Sequence, residues 1–156
     1  MLTKKAHYAL KALVALAREG GQGPVLVAAL SEKEHIPKKF LELILLELKH
    51  HGIVRSKKGR GGGYALGRPP QTIALGQVIR LIDGPLAPLP CASYTAYAEC
   101  SECDDPRTCG IRLVMKQVRD AVASILDHTT LADVVSLAET VALAGAVAHA
   151  ETVPHA

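Results

Sequence analysis

The sequence predicts a mainly α-helical chain that carries one small β-hairpin. Three observations predict it. Apolar residues recur at three- and four-residue spacing in successive stretches, a basic glycine-rich turn separates two short strand-like runs, and no strand–helix–strand alternation appears. At 156 residues the chain has the size of one ordinary domain and can bury a core without disulfides. The N-terminal Met-Leu-Thr-Lys-Lys leads into an amphipathic pattern rather than an apolar export leader, so a reducing cytoplasm with free thiols is expected. The most apolar region, Leu131 to Ala150, is interrupted by Asp133, Glu139 and His149, which argues against a bilayer span and against a membrane partner.

The net charge of +3 decides little by itself, but its distribution is informative. Lys38, Lys39, Lys49, Arg55, Lys57, Lys58, Arg60 and Arg68 all fall in the first half of the chain. One Phe and no Trp leave little for stacking on single-stranded bases, so a nucleic-acid partner would be duplex DNA.

Taken in order, Thr3 to Arg18 places Ala6, Ala9, Leu10, Leu13, Leu16 and Ala17 on one helical face, ended by the glycine-rich stretch Gly20 to Pro24. A second helical piece, Val25 to Glu32, is followed by a break at Lys33-Glu34-His35. A third helix starts at Pro37, which suits a first helical turn; Leu41, Ile44, Leu45 and Leu48 form its core stripe, and Lys38, Lys39 and Glu42 sit at its outward leading end. Two short helices, a tight break and a helix with a polar leading edge make helix-turn-helix geometry. The runs Ile53 to Ser56 and Gly63 to Leu66 then flank the turn Lys57-Lys58-Gly59-Arg60-Gly61-Gly62, and a hairpin placed directly after such a helix is a wing. Lys57, Lys58 and Arg60 supply charge there, and glycines such as Gly61 let backbone approach phosphates. A nucleotide phosphate loop is the weaker reading, because no Gly-Lys-Ser/Thr closes the turn and a strand rather than a helix follows it.

Pro69-Pro70 marks a joint, Thr72 to Asp83 reads as a short helix, and Gly84-Pro85 stops it. The segment from Pro85 to Cys109 holds every cysteine of the chain, Cys91, Cys100, Cys103 and Cys109, and is too long for an idle connection unless something orders it. Four thiols in one loop suit a soft metal or cluster; tetrahedral zinc, or a metal-free thiol switch at Cys100-Ser-Glu-Cys103, fits the same residues. From Ile111 the residues Val114, Met115, Val118, Val122, Ile125 and Leu126 repeat close to a heptad, and a small winged unit leaves little for that stripe to pack on except a second copy. Leu131 to Ala150 reads as another helix of unassigned role. The expected organisation is therefore a winged helix-turn-helix unit over residues 1–84, a cysteine-rich sensor loop over 85–110, and a dimerisation helix with a C-terminal helical segment over 111–156. No Ser/His/Asp or paired-carboxylate constellation stands out, so an enzyme is not expected.

Over about residues 1 to 135 the chain resembles the IscR/NsrR/RirA/CymR family of bacterial winged-helix transcription regulators. The resemblance rests on Tyr8-Ala9-Leu10, on Phe40-Leu41-Glu42, on Gly59-Arg60-Gly61-Gly62-Gly63-Tyr64-Ala65-Leu66, on Ile82-Asp83-Gly84-Pro85 and on Cys109-Gly-Ile-Arg-Leu-Val-Met. It implies a homodimeric repressor whose third helices enter successive major grooves of a pseudo-palindromic operator. Pro37, Lys38, Lys39 and Glu42 would lead in the groove, with Glu42 able to accept from cytosine N4, and Lys57, Lys58, Arg60 and Gly61 would form the wing contacts.

Members that sense iron, redox state or nitric oxide imply an iron–sulfur cluster, of the 2Fe-2S or 4Fe-4S type, on three loop cysteines. The five-residue gap between Cys103 and Cys109 matches that pattern, and Cys91 stands where the first ligand is expected. The longer interval from Cys91 to Cys103 contains Cys100, which departs from the pattern and leaves the middle ligand open. For the fourth ligand, a histidine three residues after the last cysteine is replaced here by Arg112. The acidic residue that other members take from the partner's first helix is replaced by His7, which makes His7 and Cys100 the candidates. His35 stands where glycine is common in the turn. Competing readings are a zinc-bound or thiol-switch regulator without a cluster, a thiol oxidoreductase, and a DNA-free adaptor.

Overall fold

The structure is a computed structural model that describes residues 2–150, with side chains through residue 144. Residues 151–156, the end of the expected C-terminal segment, lie outside the described residues. In chain order it contains α1 (Lys4–Arg18), α2 (Val27–Glu34), α3 (Lys38–His50), β1 (Val54–Lys57), β2 (Gly63–Leu66), a 3₁₀ turn (Pro70–Thr72), α4 (Leu75–Asp83), a second 3₁₀ turn (Pro90–Ala92), α5 (Gly110–His128) and α6 (Leu131–Ala150). The mainly α fold with a two-stranded hairpin is thus present, and no helix among the described residues is long and apolar enough to cross a membrane.

The core sits among α1, α2, α3, the base of the hairpin and α4. Leu13, Leu30, Leu41, Ile44, Leu45, Leu48, Ile53, Ile73 and Val78 are fully buried in it, and so is Leu131 at the start of α6. The role of α6 that the sequence left open is therefore partly structural: its first residue completes this core, and the helix packs back on α1.

Several boundaries differ from the sequence expectation. α2 starts at Val27 rather than Val25, because the Val25 backbone is used in a bridge to Tyr64 of the hairpin. α2 runs on to Glu34 instead of breaking at Lys33, because the chain reverses within one residue: His35 takes left-handed backbone (φ 54°, ψ 45°), and the Ile36 N–H donates to Ser31 O at 3.0 Å. β1 is shifted by one residue from the expected run, to Val54–Lys57, pairing Val54 with Leu66 and Lys57 with Gly63. The helix expected from Thr72 starts only at Leu75. Pro70–Thr72 is a 3₁₀ turn and Ile73 is extended, because this backbone is used across the chain: the Leu131 N–H donates to Ile73 O at 3.0 Å and the Leu75 N–H to Thr129 O at 2.9 Å.

A left-handed histidine is strained by about 1–2 kcal/mol relative to glycine. Replacing His35 by glycine, the residue common at this turn in the family it resembles, is expected to raise stability by about 0.5–1 kcal/mol after the added freedom of the unfolded chain is counted. Urea unfolding measures this, and a lower midpoint for the variant would refute it.

α1 begins at a cap built from distant parts of the chain. Thr3 is its N-cap, its hydroxyl accepting from the Ala6 N–H at 3.1 Å, while Asp83 at the end of α4 accepts from the Thr3 N–H at 2.9 Å and from the Thr3 hydroxyl. A carboxylate at a helix N-terminus satisfies free N–H groups and the helix dipole together. Asp83 therefore joins α4 to α1 immediately before the cysteine loop.

Candidate DNA interface and cysteine loop

On α3 the buried stripe Leu41, Ile44, Leu45 and Leu48 fixes which residues face outward. One flank is covered by α1: Phe40 meets Tyr8 edge-on with ring centroids 5.8 Å apart, and Glu47 pairs with Lys5 at 2.5 Å. Lys38, Lys39, Glu42, Leu43, Leu46, Lys49 and His50 are left exposed, with Pro37 as an exposed N-cap. The structure thus brings Pro37, Lys38, Lys39 and Glu42 together at the outward leading end of α3. The sequence reading passed over Leu43 and Leu46, although both stand off the core stripe and so signal an apolar patch on an otherwise polar face.

Lys57, Lys58, Arg60 and Gly61 are exposed at the hairpin tip. None of Lys38, Lys39, Lys57, Lys58 and Arg60 is held in an ion pair among the described residues. Exposed cations of this kind are available to phosphates. Two of the wing glycines serve the hairpin itself. A Cβ on Gly62 would lie 2.4 Å from Lys57 O, and one on Gly63 would lie 2.2 Å from Val25 O, since Val25 and Tyr64 exchange backbone hydrogen bonds at 2.8 Å. Gly59 (φ 87°) and Gly61 (φ 71°) have open surroundings, which leaves them free for a close approach by phosphate backbone.

The cysteine loop is held on α5 by two arginines, Arg112 and Arg119, two helical turns apart on one face. Arg112, where some family members carry a ligand histidine, donates through Nε to Cys91 O at 2.8 Å and through Nη1 to Pro106 O at 3.2 Å, so it ties both ends of the loop together. Arg119 is only 4% exposed; its guanidinium lies 3.4 Å from the Tyr94 ring centroid, donates to Ala92 O, and pairs with Asp120 at 2.6 Å. Both roles were missed in the sequence because the acceptors that hold the loop, the carbonyls of Cys91, Pro106 and Ala92, lie elsewhere in the chain. Arg80 and Asp127 add a two-pronged ion pair between α4 and α5, at 2.5 and 2.8 Å. Gly76 makes room for it, because a Cβ there would stand 2.0 Å from Asp127 Oδ1.

Of the thiols, Cys103 is brought beside Cys100 and Cys109. Cys100 first, then Cys109, pushes the Cys103 thiol up to about 12. Cys109 is the N-cap of α5; it closes no side-chain cap bond, yet the nearby Arg112 backbone N–H, followed by the Cys103 thiol, holds it below the ordinary thiol range. Cys91 is buried on the 3₁₀ turn. His7 is exposed on α1, its ring tilted against Tyr8 at 6.1 Å, and within one chain it is not gathered with the cysteines. Among the described residues no three His, Cys, Asp or Glu side chains are preassembled as a metal site.

The family described as "Rrf2: Iron-dependent Transcriptional regulator" matches residues 2–137. An rrf2-like HTH-type transcriptional regulator of Rhodobacter capsulatus is 41% identical over 138 residues, covering 86% of this chain and 92% of its own. Among solved structures, CymR, the global cysteine regulator of B. subtilis, is similar at TM-score 0.74 and 31% identity, over 88% of this chain and 97% of its own. T. potens IscR is similar at TM-score 0.72 and 29% identity, over 90% of each chain. With the helix-turn-helix, the wing and the loop in place, and these relatives named as transcription regulators, the chain belongs to the Rrf2 family of DNA-binding transcriptional regulators.

Proposed function

We propose that the chain is a homodimeric repressor of a pseudo-palindromic operator, and that an iron–sulfur cluster held by Cys91, Cys103 and Cys109 sets its affinity for DNA. The observation that carries this reading is the placement of Cys103 beside both Cys100 and Cys109, in a loop whose other end, at Cys91, is tied by Arg112 to the start of α5. The donor chemistry fits: thiolates are the usual ligands of such clusters, and Cys109 is already biased toward thiolate. Cys100 or the partner subunit's His7 would complete the set. A bound cluster supplies redox-active iron to the loop.

This chain's own residues carry the coupling. Arg112 and Arg119 fasten the loop to α5, Arg80 and Asp127 fasten α5 to α4, and Asp83 fastens α4 to the start of α1. Ile111, Val114, Val118 and Ile125 remain exposed along α5, with Met115, Val122 and Leu126 half-buried beside them, a face suited to a second copy. A change in the loop would therefore reach α3 through α5, α4 and α1. Operator half-sites lie about 34 Å apart, so a small tilt moves one α3 out of its groove.

Anaerobic purification, followed by an absorption spectrum with iron, acid-labile sulfide and zinc analysis, tests the proposal. The expected result is visible charge-transfer absorption with matching iron and sulfide, lost together with the normal operator affinity in Cys103→Ala. Colourless protein after attempted reconstitution would refute it. A second reading is favoured by the adjacency of Cys100 and Cys103 and by the likeness to a global cysteine regulator: a thiol switch in which these two thiols form a disulfide, passing two electrons and two protons to an oxidant. In that case metal-free protein would change operator affinity on oxidation, and Cys100→Ser would abolish the response.

A further inference from the structure

Leu43 is 63% exposed and Leu46 is 45% exposed on the outward face of α3. A single exposed leucine needs no explanation, but this pair lies one turn apart on one face, opposite the core stripe and among Lys39, Glu42 and His50. The flank that α1 covers, through Phe40 and Glu47, leaves both leucines out. Leu43 falls in the second turn of the helix, next to Glu42 and one turn after Lys39, so whatever groove the leading end of α3 enters, Leu43 enters with it.

A leucine side chain has neither donor nor acceptor, so it cannot read a base by hydrogen bonding. The apolar group that the major groove offers is the 5-methyl of thymine, which distinguishes thymine from cytosine at the edge of the groove. We propose that Leu43 is a specificity-determining residue that selects a thymine in each operator half-site by packing on its 5-methyl group. This rests on the reading of α3 as the helix that enters the major groove. Lys38 and Lys39 supply phosphate attraction, and Leu43 supplies sequence information that these charges cannot.

The test starts from a duplex selected by the full-length protein out of a randomised pool. Each thymine of its half-site is then replaced singly by deoxyuridine, which removes the methyl and keeps base pairing. The expected result is one position per half-site where the exchange weakens wild-type binding about fourfold, the effect of one buried methyl-sized group. Leu43→Ala should bind both duplexes equally while keeping the wild-type salt dependence and circular dichroism spectrum. Wild-type protein indifferent to every exchange, or Leu43→Ala still sensitive at the same position, would overturn the proposal and leave the two leucines as a patch for another protein. No enriched duplex at all would instead bring down the major-groove reading of α3, a separately recognisable failure.

Discussion

Replacing Lys57, Lys58 and Arg60 together by alanine is expected to weaken operator binding on the order of 10²- to 10³-fold at 0.1 M salt. Each phosphate neutralised contributes a salt slope of about 0.9, so three lost contacts each cost about eightfold at that concentration. The logarithmic salt slope should fall by about 3 units, while affinity for unrelated duplexes falls by a similar factor, since the wing charges carry little base information. All three side chains are exposed and outside any ion pair among the described residues, so the fold should tolerate the change. Titration of a labelled duplex at several salt concentrations measures both quantities, and an unchanged slope would remove the hairpin from the interface.

Arg119→Ala should be the most disruptive single change outside the hydrophobic core. Its guanidinium is buried, rests on the Tyr94 ring, and satisfies the Ala92 carbonyl and Asp120 at once. Removing one member of a buried, fully partnered charged group costs about 3 kcal/mol, here by orphaning a carbonyl and baring an aromatic face. The effect should be local as well as global: hydrogen exchange across residues 89–97 is expected to quicken more than exchange in α3. Arg119→Lys keeps the charge but loses the planar fork, and should recover less than half of the lost stability. A variant with wild-type unfolding and wild-type exchange in the loop would show that Arg119 is not its anchor.

The parts of this molecule that were legible in the sequence are those set by local periodicity. α1, α3 and α5 follow from apolar spacing, and the hairpin follows from a basic turn between short runs. What was not legible depends on residues far apart in the chain. The late start of α4 comes from Ile73 and Leu75 bonding to Leu131 and Thr129, and no window around Thr72 contains that information. The persistence of α2 to Glu34 depends on His35 adopting backbone that its residue type disfavours. In the site, the cysteines announced themselves by clustering, whereas the arginines that hold their loop could be recognised only once the acceptor carbonyls of Cys91, Pro106 and Ala92 were placed.

Leu131 in the core has a consequence for how the protein is made. The helices that present Lys38 and Lys39 to solvent cannot close their shared interior until a residue well past the cysteine loop has been synthesised and delivered to it. A nascent chain halted in that loop exposes a leucine-sized opening in its core, and holes of that size are costly. The long sequence separation also makes this docking a late event in folding. On the ribosome, the DNA-binding unit therefore matures only after the cysteine loop and α5 have emerged, and a prematurely ended product would be left with an open core.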